Sequence, residues 1–247
     1  MKILLSGLCG HMGAEVVALA KTGYRDAEVV AGVDPFSTGA DVPCAATFSD
    51  AEKDVDVIID FSHHSMTAAL CEFAVLNKLP LVVATTGQTD EEKGMIANAA
   101  RSVPVFYAAN YSVGVALLCE LARKTAEIMP EAEIEIVETH HDRKLDAPSG
   151  TALAIAEAIK TERPDAEVKC GRSGNGKRGE KEIGIQSIRI GNVVGIHEVL
   201  VGTQNQTITL KHEAHSRALF AEGAICAAEF LLTKGPGLYT MNDMIKF

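Results

Sequence analysis

The sequence predicts an α/β protein, with an N-terminal Rossmann-like, doubly wound parallel sheet and a smaller α+β domain whose sheet is mixed or antiparallel. Three observations carry this prediction. Over the first 110 positions, short β-branched runs alternate with amphipathic stretches of about 10–15 residues, the pattern of parallel strands with helices on both faces. Beyond them the strands alternate apolar with polar residues, as sheets covered on one face do. Tryptophan is absent although 47% of residues are hydrophobic, so Ala, Val, Ile and Leu must build the core.

In chain order, KILLSG (2–7) reads as a buried strand and GHMGAEVVALAKT (10–22) as a helix. EVVAGVD (28–34) and VDVIIDFS (55–62) are the next strands, and SMTAALCEFAVLNK (65–78) is helical. LPLVVATTG (79–87) is a fourth strand, EEKGMIANAARS (91–102) a helix and VPVFYAAN (103–110) a fifth strand. SVGVALLCELARKTAEIM (112–129) then places Val115, Leu118, Ala122, Ala126 and Met129 at helical spacing, with Ser112 as N-cap. AEIEIVETH (132–140), IGIQSIRIG (183–191), GIHEVLVGT (195–203) and QTITLKHEA (206–214) alternate as half-covered strands, and TALAIAEAIK (151–160) is a helix. Residues 171–182 form a glycine-rich basic loop. The tail is helical from Ser216, then punctuated by Pro and Gly at 235–245.

A chain of 247 residues holds one large domain or two modest ones. A net charge of −10 argues against nucleic-acid or membrane-surface partners, which select a basic footprint. Residues 140–189 differ: they hold 10 of the 23 Lys/Arg and 8 of the 33 Asp/Glu, a cationic patch suited to a small anion. The six cysteines are scattered without metal-like spacing and read as reduced thiols of a cytoplasmic protein, Cys9 being the most accessible. MKILLSG enters a strand with no signal-peptide anatomy, and no apolar run approaches the roughly 18–20 residues that span a bilayer.

GLCGHMG (7–13) follows a strand and opens a helix. Its glycines allow a tight turn and close approach to a pyrophosphate, which the helix N-terminus attracts. Gly7, Leu8, Cys9, Gly10, His11 and Met12 are therefore candidate dinucleotide contacts. Asp34, about twenty residues on, ends the next strand, where an acid accepts hydrogen bonds from a ribose diol. PFSTGAD (35–41) carries no cation for a 2′-phosphate, so NADH is expected to serve at least as well as NADPH. Ala84, Thr85 and Thr86, with Ala108, Ala109, Asn110 and Tyr111, lie at further strand ends on the same sheet edge.

ETHHDRKLDAPSGTA (138–152) places His140 and His141 on opposite sides of an extended chain, with Lys144 across a short turn. The N–H groups of Gly150 and Thr151, at a helix start, suit a carboxylate, helped by the Thr151 hydroxyl. Zinc is not expected, because no Cys or further His stands nearby at zinc-like spacing.

With these residues in view, the chain resembles the 4-hydroxy-tetrahydrodipicolinate reductase family, long called dihydrodipicolinate reductase, of bacterial lysine biosynthesis. Residues 138–152 match its signature E-x-H-H-x-x-K-x-D-A-P-S-G-T-A at every defined position. Gly10–Gly13 match its G-x-M-G, and ATTG, AANYS, RGEKEIGIQSIRIGNVVGIH and the tail resemble further family segments. The chain departs from the family at DFSHHSM, where relatives read DFT with a nearby proline, and at Ile196 and Ala84. The resemblance implies a dinucleotide-binding domain of residues 1–110 completed by 216–247. It implies a substrate-binding and oligomerisation domain of residues 111–215, assembled into a homotetramer. It further implies NAD(P)H-dependent reduction of a cyclic imine dicarboxylate. His140 matches the proton donor and acceptor, Lys144 the second proton donor, and His141, Gly150 and Thr151 the substrate-binding positions. A dehydrogenase acting on aspartate or homoserine shares the glycine loop but has no reason to carry HHDRKLDAPSGT, and an NADH-sensing regulator needs a DNA-binding or partner module, for which the sequence offers no basic helix-turn-helix pattern.

Overall fold

Buried Val, Ile and Leu runs, closed by Ser, Asp or Tyr, form the centre of a seven-stranded, all-parallel sheet. Its strands are β1 (Lys2–Ser6), β2 (Glu28–Val33), β3 (Cys44–Ala45), β4 (Val57–Asp60), β5 (Leu81–Val83), β6 (Pro104–Tyr107) and, from the tail, β12 (Gly237–Tyr239). The computed structural model describes residues 1–36 and 41–245. The expectation that no cation follows Asp34 falls partly on 37–40, outside the described residues. Backbone contacts divide the chain into one unit of Met1–Val113 plus the segment from Arg217, and a second of Gly114–Ser216.

In the first unit the strand order is β3-β2-β1-β4-β5-β6-β12, so the winding reverses between β1 and β4. Registers pair Ser6 with Val33 and Asp60, Asp60 with Val83, and Val83 with Tyr107. These ends form one row, so the segments that follow them leave the same carboxyl edge. Helices α2 (Thr67–Asn77) and α3 (Asp90–Ala99) bury Leu70, Phe73 and Ile96 against Leu4, Ile58, Leu81 and Val105. Each fully buried Leu or Ile contributes roughly 1.5–3 kcal/mol. Helices α1 (His11–Lys21) and α6 (Ala218–Leu231) pack together, and α6 also lies against β4, β5 and β6. Gly223 of α6 fits because a Cβ there would meet the Tyr111 carbonyl oxygen at 1.6 Å. The short helix α7 (Met241–Met244) ends the described tail.

The second unit holds α4 (Val113–Ile128), β7 (Glu133–His140), α5 (Gly150–Lys160), β8 (Glu167–Cys170), β9 (Glu182–Arg189), β10 (Gly195–Gly202) and β11 (Thr207–Ala214). The sheet order is β11-β10-β7-β9-β8. β10 runs antiparallel to β7 and β11, while β9 is parallel to β7 and β8, so the expected mixed sheet is present. One face buries Ile134, Ile136, Ile183, Ile185, Val199 and Val201 beneath Leu118, Ala122 and Ala126 of α4 and Ile155 and Ile159 of α5. The short strands β3, β8 and β12 were not expected, because two to four residues at a sheet edge display no period. The long fifth strand of the sequence reading shortens to Pro104–Tyr107.

Candidate active site

At the carboxyl edge of the parallel sheet the glycine loop is shaped by close backbone approaches. Gly7 has φ +81°, and a Cβ there would meet the Phe61 carbonyl at 2.5 Å. At Gly13 a Cβ would lie 2.3 Å from the Gly7 oxygen. Leu8 turns inward onto Gly32, leaving only its backbone for a ligand. Cys9, Gly10 and His11 are exposed. Gly10 caps α1 with no side-chain bond, and the first turn holds no acid, so this helix end suits a diphosphate. Asp34 is buried and joins loop to strand: its carboxylate accepts N–H bonds from Cys9 at 3.0 Å and Phe36 at 2.9 Å. Desolvation, then the Asp34 charge, pushes the Cys9 thiol up, against thiolate chemistry there.

Six of the expected cofactor residues, Met12, Ala84, Thr86, Ala109, Asn110 and Tyr111, line one cleft of about 240 Å³, joined by Phe61 and Phe220. Those two phenylalanines were missed. Phe61 directly follows β4, a signal the strand-end argument supplies, whereas Phe220 comes from the distant tail. Ala108 is not among the lining residues, and the Tyr111 phenol is buried, donating to the Val83 and Phe106 carbonyls at 2.8 and 3.1 Å. Thr85 is buried beside Asp60, whose carboxyl is raised by burial although hydroxyls of Ser62, Thr85 and Ser6 oppose the shift. His64, a departure from the family pattern, bonds Glu92 at 2.9 Å and packs against the His63 ring. Glu92 is also the capping-box acid of α3.

At the end of β7, alternation turns Glu138 and His140 inward with Ile134 and Ile136. Glu138 is fully buried, and its carboxylate accepts from His140 Nδ1 at 2.5 Å. Arg189 of β9 grips both of its oxygens at 2.9 and 2.8 Å, and the Ser149 N–H adds a bond at 3.2 Å. Burial alone would raise the Glu138 carboxyl, yet bonds from Arg189, Ser187 and His140 hold it at about 2. Burial lowers His140, more than the Glu138 bond and charge raise it. His197 of β10 stands edge-on to His140, ring centres 5.1 Å apart. Burial, then the His140 charge, pushes His197 down to about 4. None of Glu138, Arg189 and His197 was singled out from sequence. An acid on the buried face of a strand was the available signal for Glu138.

Lys144 pairs with Asp146 at 2.8 Å. The His141 Nδ1 atom is buried without a hydrogen-bond partner among the described residues. Helix α5 begins at Gly150, capped by Ser149, whose hydroxyl accepts from the Ala152 N–H at 3.2 Å, so Gly150 and Thr151 open its first turn. Leu153 is 43% exposed, because it lies opposite the Ile155 and Ile159 face of α5. One expectation is corrected. The cationic segment is largely neutralised locally: Arg143, Lys144, Lys160, Lys169, Arg172, Arg178, Lys181 and Arg189 all pair with carboxylates. Among the described residues no group of three or more His, Cys, Asp or Glu is placed to hold a metal ion, and no helix is long and apolar enough to cross a membrane.

A Rossmann-type sheet with an uncapped glycine-loop helix, and a second sheet carrying a buried imidazole–carboxylate pair, define a two-unit oxidoreductase of the nicotinamide-dinucleotide class. Residues 1–111 match the family described as dihydrodipicolinate reductase, N-terminus, and 114–245 its C-terminus. The chain belongs to the dihydrodipicolinate reductase family. It is 41% identical over 248 residues to the 4-hydroxy-tetrahydrodipicolinate reductase of Caldanaerobacter subterraneus subsp. tengcongensis, covering 100% of this chain and 98% of that protein. It is 41% identical over 251 residues to that of Akkermansia muciniphila, with 99% and 98% covered. Dipicolinate-bound dihydrodipicolinate reductase from Paenisporosarcina sp. TG-14 superposes with TM-score 0.83 at 25% identity, over 100% of this chain and 99% of that one.

Proposed function

We propose that this chain reduces the cyclic imine dicarboxylate derived from 4-hydroxy-tetrahydrodipicolinate to tetrahydrodipicolinate with NADH or NADPH, in lysine and diaminopimelate biosynthesis. The observation that carries the reading is His140, bonded through Nδ1 to a buried anion beside the first turn of α5. The dinucleotide, when bound, supplies a hydride to the electron-poor carbon conjugated to the imine. The enamine-like product needs a proton, and an imidazole, whose ordinary pKa lies near neutrality, is a side chain suited to deliver it. His140 therefore exchanges the proton and Lys144 acts as second donor. His141, Gly150 and Thr151 receive a carboxylate at the α5 N-terminus, a reading that the unpartnered His141 Nδ1 supports.

On the parallel sheet, the loop of Gly7, Leu8, Cys9, Gly10, His11 and Met12 wraps the diphosphate: the N–H groups of His11 and Met12 at the start of α1 receive it, while those of Gly7, Cys9 and Gly10 hold the loop on Val33, Asp34 and Gly7, and Asp34 meets the adenosine ribose. The cleft residues Ala84, Thr86, Ala109, Asn110 and Tyr111 receive the nicotinamide half, with Thr85 and Ala108 beside them. The first unit is the dinucleotide-binding domain and the second the substrate and oligomerisation domain, whose sheet forms a cytoplasmic homotetramer. NADH serves at least as well as NADPH. The test is NADH absorbance with substrate generated from pyruvate and aspartate semialdehyde: steady decay is expected, and a flat trace with folded protein overturns the activity.

A further inference from the structure

We infer that Glu138 and Arg189 are positioning residues for His140, holding its imidazole in the Nδ1–H form and turning Nε2 toward a gap that exists because residue 195 is glycine. The inference deepens the proposed function and rests on its assignment of proton exchange to His140.

The geometry leaves Glu138 one role. It is fully buried, so it acts through what it touches. Oε1 accepts from Arg189 Nη2 and the Ser149 N–H, and Oε2 accepts from Arg189 Nη1 and His140 Nδ1. An acceptor so committed is an anion, which makes Nδ1 the donor and leaves Nε2 as the atom that takes up or releases a proton. Burying two charges costs several kcal/mol per ion, and a well-packed apolar pair holds a sheet equally well. The contribution of this ion pair therefore lies in what it does to the imidazole.

The surrounding charges agree. His140 is faced by Glu138 on β7, Arg189 on β9, His197 on β10 and Lys144 in the turn, with Asp146 beyond Lys144 and His212 of β11 beyond His197. Ser149 Oγ accepts from the Ala152 N–H and lies 3.1 Å from His197 Nε2. Burial, then the His140 charge, holds His197 down at about 4, so it is a neutral neighbour and adds no cation. Among the described residues Glu138 is then the one anion in direct contact with an imidazolium that also faces Arg189 and Lys144. At Gly195 a Cβ would stand 3.1 Å from His140 Nε2 and 3.8 Å from His197 Cε1. The glycine has no positive φ, so what it provides is space at the reactive nitrogen.

Glu138→Gln keeps shape and an acceptor for Nδ1–H but removes the charge. Losing the anion disfavours the imidazolium, so the proton-donating form disappears at lower pH. The alkaline fall of kcat should move down by about one unit or more, and the ¹⁵N-imidazole titration of His140 should move with it. We expect kcat to fall on the order of tenfold to a hundredfold, part of the ~10²–10⁴ that a general acid contributes, with KM and NADH affinity nearly unchanged. Gly195→Ala should lower kcat while leaving melting temperature and the His140 titration in place. Should the single variant not fold because Arg189 is left unpaired, Glu138→Gln with Arg189→Gln restores neutrality, and its comparison with Arg189→Gln alone carries the same measurement. A folded variant with an unshifted His140 titration and pH profile, and only a lower melting temperature, overturns the inference. A shifted His140 titration in Glu138→Gln, with normal kcat both there and in His140→Gln, supports the positioning and overturns the proton-exchange reading beneath it.

Discussion

At the carboxyl edge of the parallel sheet, glycine and main-chain N–H groups do the shaping. Gly7 and Gly13 stand where a Cβ would strike backbone, and Asp34 spends its carboxylate on two N–H groups. At the end of β7 the materials are reversed. Side-chain charges from two strands meet in a buried cluster, and the backbone only delivers them. The first region is therefore sensitive to an added methyl and the second to a removed charge or proton. Sequence motifs report the first kind well, since the constraint is local, and the second poorly.

The sharpest way to break this comparison is His140→Gln, which keeps size and a donor toward Glu138. We expect kcat to fall by about 10²–10⁴ while NADH affinity and the melting temperature stay near wild type. Lys144→Ala should lose on the order of a hundredfold, and the double variant less than the product if both act on one transition state. Steady-state kinetics beside thermal melts decide it. Normal kcat in His140→Gln removes the chemistry from this cluster altogether.

The next effect is on stability. His197 is buried and its folded value is depressed to about 4 from 6.5. A depressed base contributes stability that is complete above the unfolded value and is lost as pH falls through the folded one. Wild type should therefore lose about 3 kcal/mol between pH 6.5 and 4 from this group. Glu138, depressed from 4.5 to about 2, should add a further loss below pH 4.5. His197→Gln should make the upper window shallower, with His140 and His212, both lowered by burial, keeping their share of it, and leave the lower window unchanged. Urea unfolding at several pH values measures this, and equal slopes in both proteins contradict it.

A crossed pair of variants sharpens the contrast directly. Thr151→Val should raise KM for the dicarboxylate by the roughly 1.5–3 kcal/mol of a bond to a charged group, with NADH affinity unchanged. Gly13→Ala should do the opposite, since relieving a 2.3 Å approach to Gly7 distorts the loop. Overpacking of this kind costs about 1–3 kcal/mol. If Thr151→Val instead weakens NADH, the ligands have been assigned to the wrong sheets. The smallest effect concerns the nucleotide. kcat/KM for NADH should equal or exceed that for NADPH, and Pro35→Arg should move the ratio toward NADPH. A wild-type preference for NADPH above about tenfold, or about 1.4 kcal/mol, sinks this claim.

The sequence by itself determined the features whose causes are close together along the chain. Strand and helix periods place β1, β2, β4, β5 and β6 because each run buries its own apolar residues. The glycine loop was legible because sterics act over a few bonds, and Ser149–Thr151 because a helix start has a local grammar. What only the tertiary structure decided depends on register and charge across long separations. Glu138 meets Arg189 because β7 and β9 are parallel with His140 opposite Arg189, and His197 arrives because β10 sets it opposite Glu138. Phe220 reaches the cleft at the strand ends because small residues let α6 approach Tyr111. The apparent basic patch dissolved for the same reason: whether a cation is free depends on which carboxylate folding brings within reach, since Coulomb interaction follows distance in space.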